Sequence, residues 1–170
     1  MDAEKFTKKS LEVIESCEKL AYEYNNQELT QAHLMYALVT VEDSLIAKLL
    51  TNMGINMDAF TGECEKLVAN RPKVSGGQLF TSPEFSKALI QAEKEAKQMG
   101  DDYISVEHIF LGLLEKADKD IKRVINAYGI TRGKFLEVLA NIRGNRKVES
   151  DNPEDTYDAL NKYGYKLVER

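Results

Sequence analysis

The residues of this chain whose types could do acid–base, nucleophilic or metal chemistry are few and widely spread. They are His33 and His108, Cys17 and Cys64, and carboxylates scattered along the whole length. No His-Glu-x-x-His run is present to hold zinc, no Gly-x-Ser-x-Gly elbow to present a nucleophile, and no pair of carboxylates in a distinct setting to divide acid and base roles. No Gly-x-x-x-x-Gly-Lys-Ser/Thr loop is available to cradle phosphates, and Gly76-Gly77 is followed by neither a basic residue nor a strand-to-helix context. The cysteines sit in separate helical patterns without Cys-x-x-Cys spacing, which reads as two buried thiols in a reducing compartment. These residues point away from catalysis, metal and cofactors within this chain.

What the histidines do reveal is an internal repeat. They lie 75 positions apart, and at that offset Glu18-Lys19-x-Ala21 meets Glu93-Lys94-x-Ala96, Leu38 meets Leu113, Gly54-Ile55 meets Gly129-Ile130 and Phe60 meets Phe135. Other pairs keep their chemical type, as Leu29 with Ile104, Thr30 with Ser105 and Leu34 with Ile109. A histidine repeated at equivalent first-turn positions of two helices is better explained by packing and helix-end hydrogen bonds than by acid–base work.

The elements that position these residues are helices. Apolar residues recur with a 3.6 period, as in Leu11, Ile14, Cys17 and Ala21, and alternating strand patterns are missing. Thr30 and Ser105 can cap the start of short buried helices, Gly54 and Gly129 can end others, and Asn56 and Thr131 can open fourth helices. The predicted fold class is therefore all-α: two pseudo-twofold-related four-helix repeats forming one domain, plus a C-terminal linker helix. Repeat one covers about 1–71 and repeat two about 79–143, each too small to be robust alone, so the two should share a face. Residues 144–152 are polar and lack a core pattern, which predicts a flexible connector. From Pro153 to 170 a helix is expected, with Tyr157, Leu160, Tyr163, Leu167 and Val168 on its apolar side.

Charge narrows the partners. With 23 basic and 28 acidic residues among 170, the net charge of −5 disfavours nucleic acid and anionic membrane surfaces. No apolar run reaches the ~20 residues needed to cross a bilayer, and the acidic N-terminus is unlike a signal peptide, so the expected location is cytoplasmic.

A duplicated four-helix unit with Phe6-Thr7 near its start, Leu34-Met35-x-Ala37-Leu38 in the first copy and Gly100-Asp101-Asp102-Tyr103-Ile104-Ser105-x-Glu107 in the second resembles the N-terminal domain of Clp/Hsp100 AAA+ unfoldases. The run Asn152-Pro153-Glu154-Asp155-x-Tyr157-x-Ala159-Leu160-x-Lys162-Tyr163-Gly164 is similar to the segment leading into the first ATPase ring of ClpB-type disaggregases. The resemblance implies a non-catalytic domain that weakly binds unfolded or aggregated polypeptide at the entrance of a hexameric ring. The isolated domain would be a monomer, with ATP and magnesium belonging to the parent. It places roles in substrate handling at Thr7, Asp101 and Glu107. It also places the substrate groove at Gln91, Glu95 and His108, where relatives often carry leucine.

Each of these has a plain structural alternative. Glu107 also fits as a first-turn acid after the Ser105 cap, and Asp101 as a turn residue after Gly100. Two other functions remain open at this stage: a docking module for a folded adaptor or co-chaperone, and a cap that modulates an ATPase ring.

Overall fold

Each repeat runs as a long helix, a short buried helix and two further helices. A computed structural model describes residues 2–154. Repeat one holds α1 (Lys8–Glu23), α2 (Gln31–Thr40), α3 (Leu45–Asn52) and α4 (Met57–Ala69); repeat two holds α5 (Pro83–Gln98), α6 (Val106–Glu115), α7 (Lys119–Ala127) and α8 (Arg132–Arg143). The all-α architecture is thus the one the periodicity predicts, and no helix among the described residues is long and apolar enough to cross a membrane.

Local chemistry places the helix ends. Thr7 Oγ1 accepts the Ser10 N–H at 3.2 Å and Ser82 Oγ accepts the Phe85 N–H at 3.0 Å, so α1 and α5 open on matching hydroxyl caps. Asn56 and Thr131 do the same for α4 and α8. After α3 and α7 the chain turns through Gly54 at φ +86° and Gly129 at φ +66°. That backbone lets the following Ile55 and Ile130 N–H groups bond the carbonyls of Leu50 and Ile125.

The core is shared between repeats. Helices α2 and α6 each bury eight of their ten residues and pack against one another, with Phe60 and Phe135 fully buried at matching positions. Burying a side chain of this size stabilises by roughly 1.5–3 kcal/mol, which neither repeat could collect without the other's face.

The repeats also exchange backbone. Phe6 pairs in parallel with Ile104, and β1 (Glu28–Leu29) pairs in parallel with β2 (Phe80–Thr81). Shifted by 75 residues, the second contact is the first with the repeats swapped: the entry to each long helix lies beside the loop before the other repeat's buried helix. Strands of two residues are too short to show alternation, which is why the sequence shows no sign of them.

The segment expected to be a flexible connector differs from that expectation. Val148 is fully buried; its N–H donates to Asp101 Oδ1 at 3.0 Å and its carbonyl accepts from the Asp102 N–H at 2.8 Å. The Asp151 carbonyl accepts from the Lys8 N–H at 2.8 Å, and Glu154 is buried. One apolar residue among polar neighbours leaves no periodic pattern, so the anchoring was invisible without the surface it docks on. Of the expected C-terminal helix, residues 155–170 lie outside the described residues.

Candidate functional site

Four of the six residues singled out in the sequence converge at the start of α6. Thr7, at the mouth of α1, donates its hydroxyl to Glu154 Oε2 at 2.8 Å. The same oxygen accepts the Val106 N–H at 3.2 Å, one of the unpaired donors at the N-terminus of α6. Glu107 follows on α6, fully buried, with Oε2 receiving Arg143 Nη1 at 3.4 Å. Arg143 also donates to Asp101 Oδ1. The other oxygen of Asp101, Oδ2, takes the His108 Nε2 hydrogen at 2.7 Å.

The histidine's state follows from its other nitrogen. His108 Nδ1 accepts the Ser105 N–H at 2.9 Å, which leaves the ring hydrogen on Nε2, aimed at Asp101. His33 is built identically, with Nδ1 accepting the Thr30 N–H at 3.0 Å, but its Nε2 meets the neutral Asn26 Oδ1 at 2.9 Å. Burial, and then the charge of Arg71, push the pKa of His33 down to about 4. At Asp101, burial opposes ionisation, yet hydrogen bonds from His108, Val148 and Arg143 outweigh it and hold the carboxyl below its ordinary range.

Gln91 and Glu95 form a second group on α5. Glu95 is 2% exposed; its two oxygens take Arg132 at 2.6 and 3.0 Å, and Gln91 Nε2 adds a bond at 3.0 Å. Burial again works against ionisation of Glu95, and the Arg132 and Gln91 bonds overcome it, so its pKa is lowered. This ion pair ties α5 to the start of α8, while α6 packs against both helices.

The expectation of a substrate surface made by Thr7, Gln91, Glu95, Asp101, Glu107 and His108 is therefore corrected: all six are buried and bonded to one another or to Arg132, Arg143 and Glu154. Most polar atoms at these positions find partners in one another, which lets them be buried; the Glu107 Oε1 is an exception. The expectation that no carboxylates pair in a distinct setting is corrected too, by Glu107 and Glu154. Among the described residues no cluster of His, Cys, Asp and Glu could hold a metal ion. Burial raises the pKa of both thiols, that of Cys64 to about 12.

What opens to solvent lies just beyond. A cleft of about 490 Å³ runs between the end of α5 and the last turns of α8, lined by Met99, Leu136, Leu139 and Ala140, with Arg143 and residues 144–147 along one side. No local pattern in the sequence announces this cleft or marks Arg132 and Glu154 as functional. Arg143 did leave a signal: at the repeat offset it faces Val68, a cation where the first copy has a core residue.

Comparison with known proteins agrees with this architecture. Residues 5–128 match the model of the Clp repeat N-terminal domain. Over 99% of its length the chain is 42% identical to the chaperone protein ClpB of Nitratidesulfovibrio vulgaris and 40% identical to that of Clostridium tetani. It spans about one fifth of each relative's length. The Hsp104 N-terminal domain from Candida albicans shares the fold at 20% identity, with a TM-score of 0.78 over 88% of this chain and 99% of that one. With residues 5–128 matched by one family model, the chain belongs to the Clp repeat N-terminal domain family.

Proposed function

We propose that this chain is the substrate-engaging domain of a ClpB-type disaggregase, binding unfolded or aggregated polypeptide weakly at the entrance of an ATP-driven ring in the cytoplasm. The observation that carries the reading is the open apolar cleft between α5 and α8. Misfolded chains have exposed apolar segments in common, and a cleft that accepts one or two such side chains offers roughly 1.5–3 kcal/mol for each. A millimolar dissociation constant corresponds to about 4 kcal/mol and two such contacts supply at most about 6, so one domain should bind between roughly millimolar and tens of micromolar. Six copies around a ring raise the effective strength without a tight grip that would hinder threading. In this reading Thr7, Asp101, Glu107 and His108 shape the cleft's rim from beneath by holding α8 and the 144–154 segment in place.

The Glu95–Arg132 pair lies one helical turn before two residues that line the cleft, Met99 at the end of α5 and Leu136 on α8. Its counterparts in repeat one are Leu20 and Met57, so a Glu95→Leu/Arg132→Met double variant replaces an ion pair by an apolar pair of a kind the fold already accommodates. In titrations with reduced, carboxymethylated lactalbumin as the unfolded ligand, this variant should bind severalfold more tightly. Leu136→Asp should bind at least tenfold more weakly, with unchanged far-UV circular dichroism. Binding indifferent to both substitutions would remove the cleft from the mechanism, and capture of folded adaptors alone would favour the docking-module reading.

A further inference from the structure

The described residues include one buried carboxyl group that the substrate reading does not use. Glu154 is 4% exposed and comes from outside both repeats, yet it reaches the mouths of α1 and α6. Its Oε2 is saturated by the Thr7 hydroxyl and the Val106 N–H, while its Oε1 is buried without a hydrogen-bond partner. Glu107 beside it is in the same state, with Oε2 on Arg143 and Oε1 buried and unpartnered. Two adjacent carboxyl groups, each with an unused buried oxygen, need one hydrogen between them.

Charge counting says where that hydrogen comes from. Around Glu154, α6 contributes Glu107, which is held by Arg143 of α8, while the mouth of α1 contributes the neutral hydroxyls of Thr7 and Ser10, with the Lys8 side chain exposed beside them. Beyond Arg143 lies Asp101, bonded to His108. One guanidinium therefore already serves two carboxylates. Among the described residues no cation is bonded to Glu154, so a third negative charge in the same buried volume is uncompensated and its ionisation is opposed.

We infer that Thr7, the Val106 N–H and Glu107 form a binding site for a carboxylic acid side chain in its neutral form. In this chain Glu154 fills it, so that residues 148–154 make a proton-gated clasp across α1 and α6. With Glu154 protonated, its O–H supplies a hydrogen to this buried volume, where the Glu107 Oε1 lacks a partner. When the proton leaves to solvent, the pocket holds a carboxylate near Glu107 with no cation bonded to it among the described residues, and the clasp is weakened. The strands of the clasp are the bonds already described: Asp102 N–H to Val148, Val148 N–H to Asp101, and Lys8 N–H to Asp151. Burial, and then the Glu107 charge, raise the pKa of Glu154 from 4.5 to about 7. A group whose pKa is raised by docking favours the docked state at low pH, and that advantage is lost as pH climbs from about 4.5 through about 7. The gate therefore works near neutrality. The inference does not depend on what the cleft binds.

Amide hydrogen exchange on the full 170-residue chain, corrected for intrinsic rate, tests it. Between pH 5 and pH 8 protection of the Lys8 and Asp102 amides should fall by more than tenfold, while the Leu34 amide in repeat one serves as a core control that stays protected. Glu154→Gln supplies a permanently neutral group whose amide can donate to Glu107, so its clasp amides should stay protected at both values. Protection that does not vary with pH in the parent chain overturns the inference. So does a Glu154→Gln chain that keeps the parent's pH dependence, or one whose clasp amides exchange freely at pH 5 while Leu34 remains protected.

Discussion

The two repeats share a backbone plan and differ in what they bury at one place. Around His33 the first repeat sets Asn26, Ala32 and Val68; at the same positions around His108 the second sets Asp101, Glu107 and Arg143. Both histidines perform the same structural service, accepting the backbone N–H at the start of a buried helix. At those three positions the first repeat has neutral and apolar groups, and the second a network of charges. Since the neutral version holds its helix in place, the charges are not required for the fold. What the second repeat gains is a set of partners that anchor chain from outside the duplication, Asp101 accepting from the Val148 N–H and the Val106 N–H donating to Glu154.

The most severe break of this comparison is Arg143→Ala, which strands Asp101 and Glu107 in the interior without a cation. Removing one partner of a buried pair costs about 3–5 kcal/mol, whereas Val68→Ala at the matching site removes only packing and should cost on the order of 1–2 kcal/mol. Urea unfolding midpoints of the two variants measure the difference directly. Equal losses would mean that the network is no more than filler.

Next is the contact between the first two helices of each repeat. Gly112 of α6 lies so close to α5 that an added Cβ would come within 2.3 Å of the Ala88 carbonyl oxygen, while the matching position in repeat one already carries a methyl group, Ala37. Gly112→Ala should therefore destabilise by about 1–3 kcal/mol through overpacking, seen as a lowered thermal midpoint. A neutral result would show that α5 and α6 can separate as α1 and α2 do.

The smallest effect concerns pH. His33 has its pKa depressed to about 4 from 6.5, so its contribution to stability is complete above pH 6.5 and is lost as pH falls through 4. Asn26→Asp gives it the acceptor that His108 has, and should raise the His33 pKa in a proton NMR titration of the imidazole. If the pKa does not move, burial alone governs that histidine and the acceptor is irrelevant.

Legibility in the sequence followed the range of the interactions. Helix caps at Thr30, Ser105, Asn56 and Thr131, and turns at Gly54 and Gly129, are set within four residues of chain and could be read directly. The convergence of Thr7 with Glu107 depends on α1 meeting α6 across the pseudo-twofold, a contact of high sequence separation that no local pattern announces. Glu154 was harder still. It follows Asn152-Pro153 in the position of a first-turn acid, which is a sufficient local reason for its presence and conceals its reach into the other repeat. Gln91 and Glu95 looked like polar groups lining a groove because burial had to be guessed from residue type; Arg132, which draws Glu95 inward, lies 37 positions away.

Residue order alone determined that this chain would be helical, duplicated and closed around a shared apolar face, because periodicity and capping are local and a repeat is visible by comparison with itself. Only the tertiary structure decided which polar groups face inward, where the cleft opens, and which segment is tied down. Those outcomes turn on desolvation, and whether a charge is solvated or paired depends on neighbours that the linear order brings no closer.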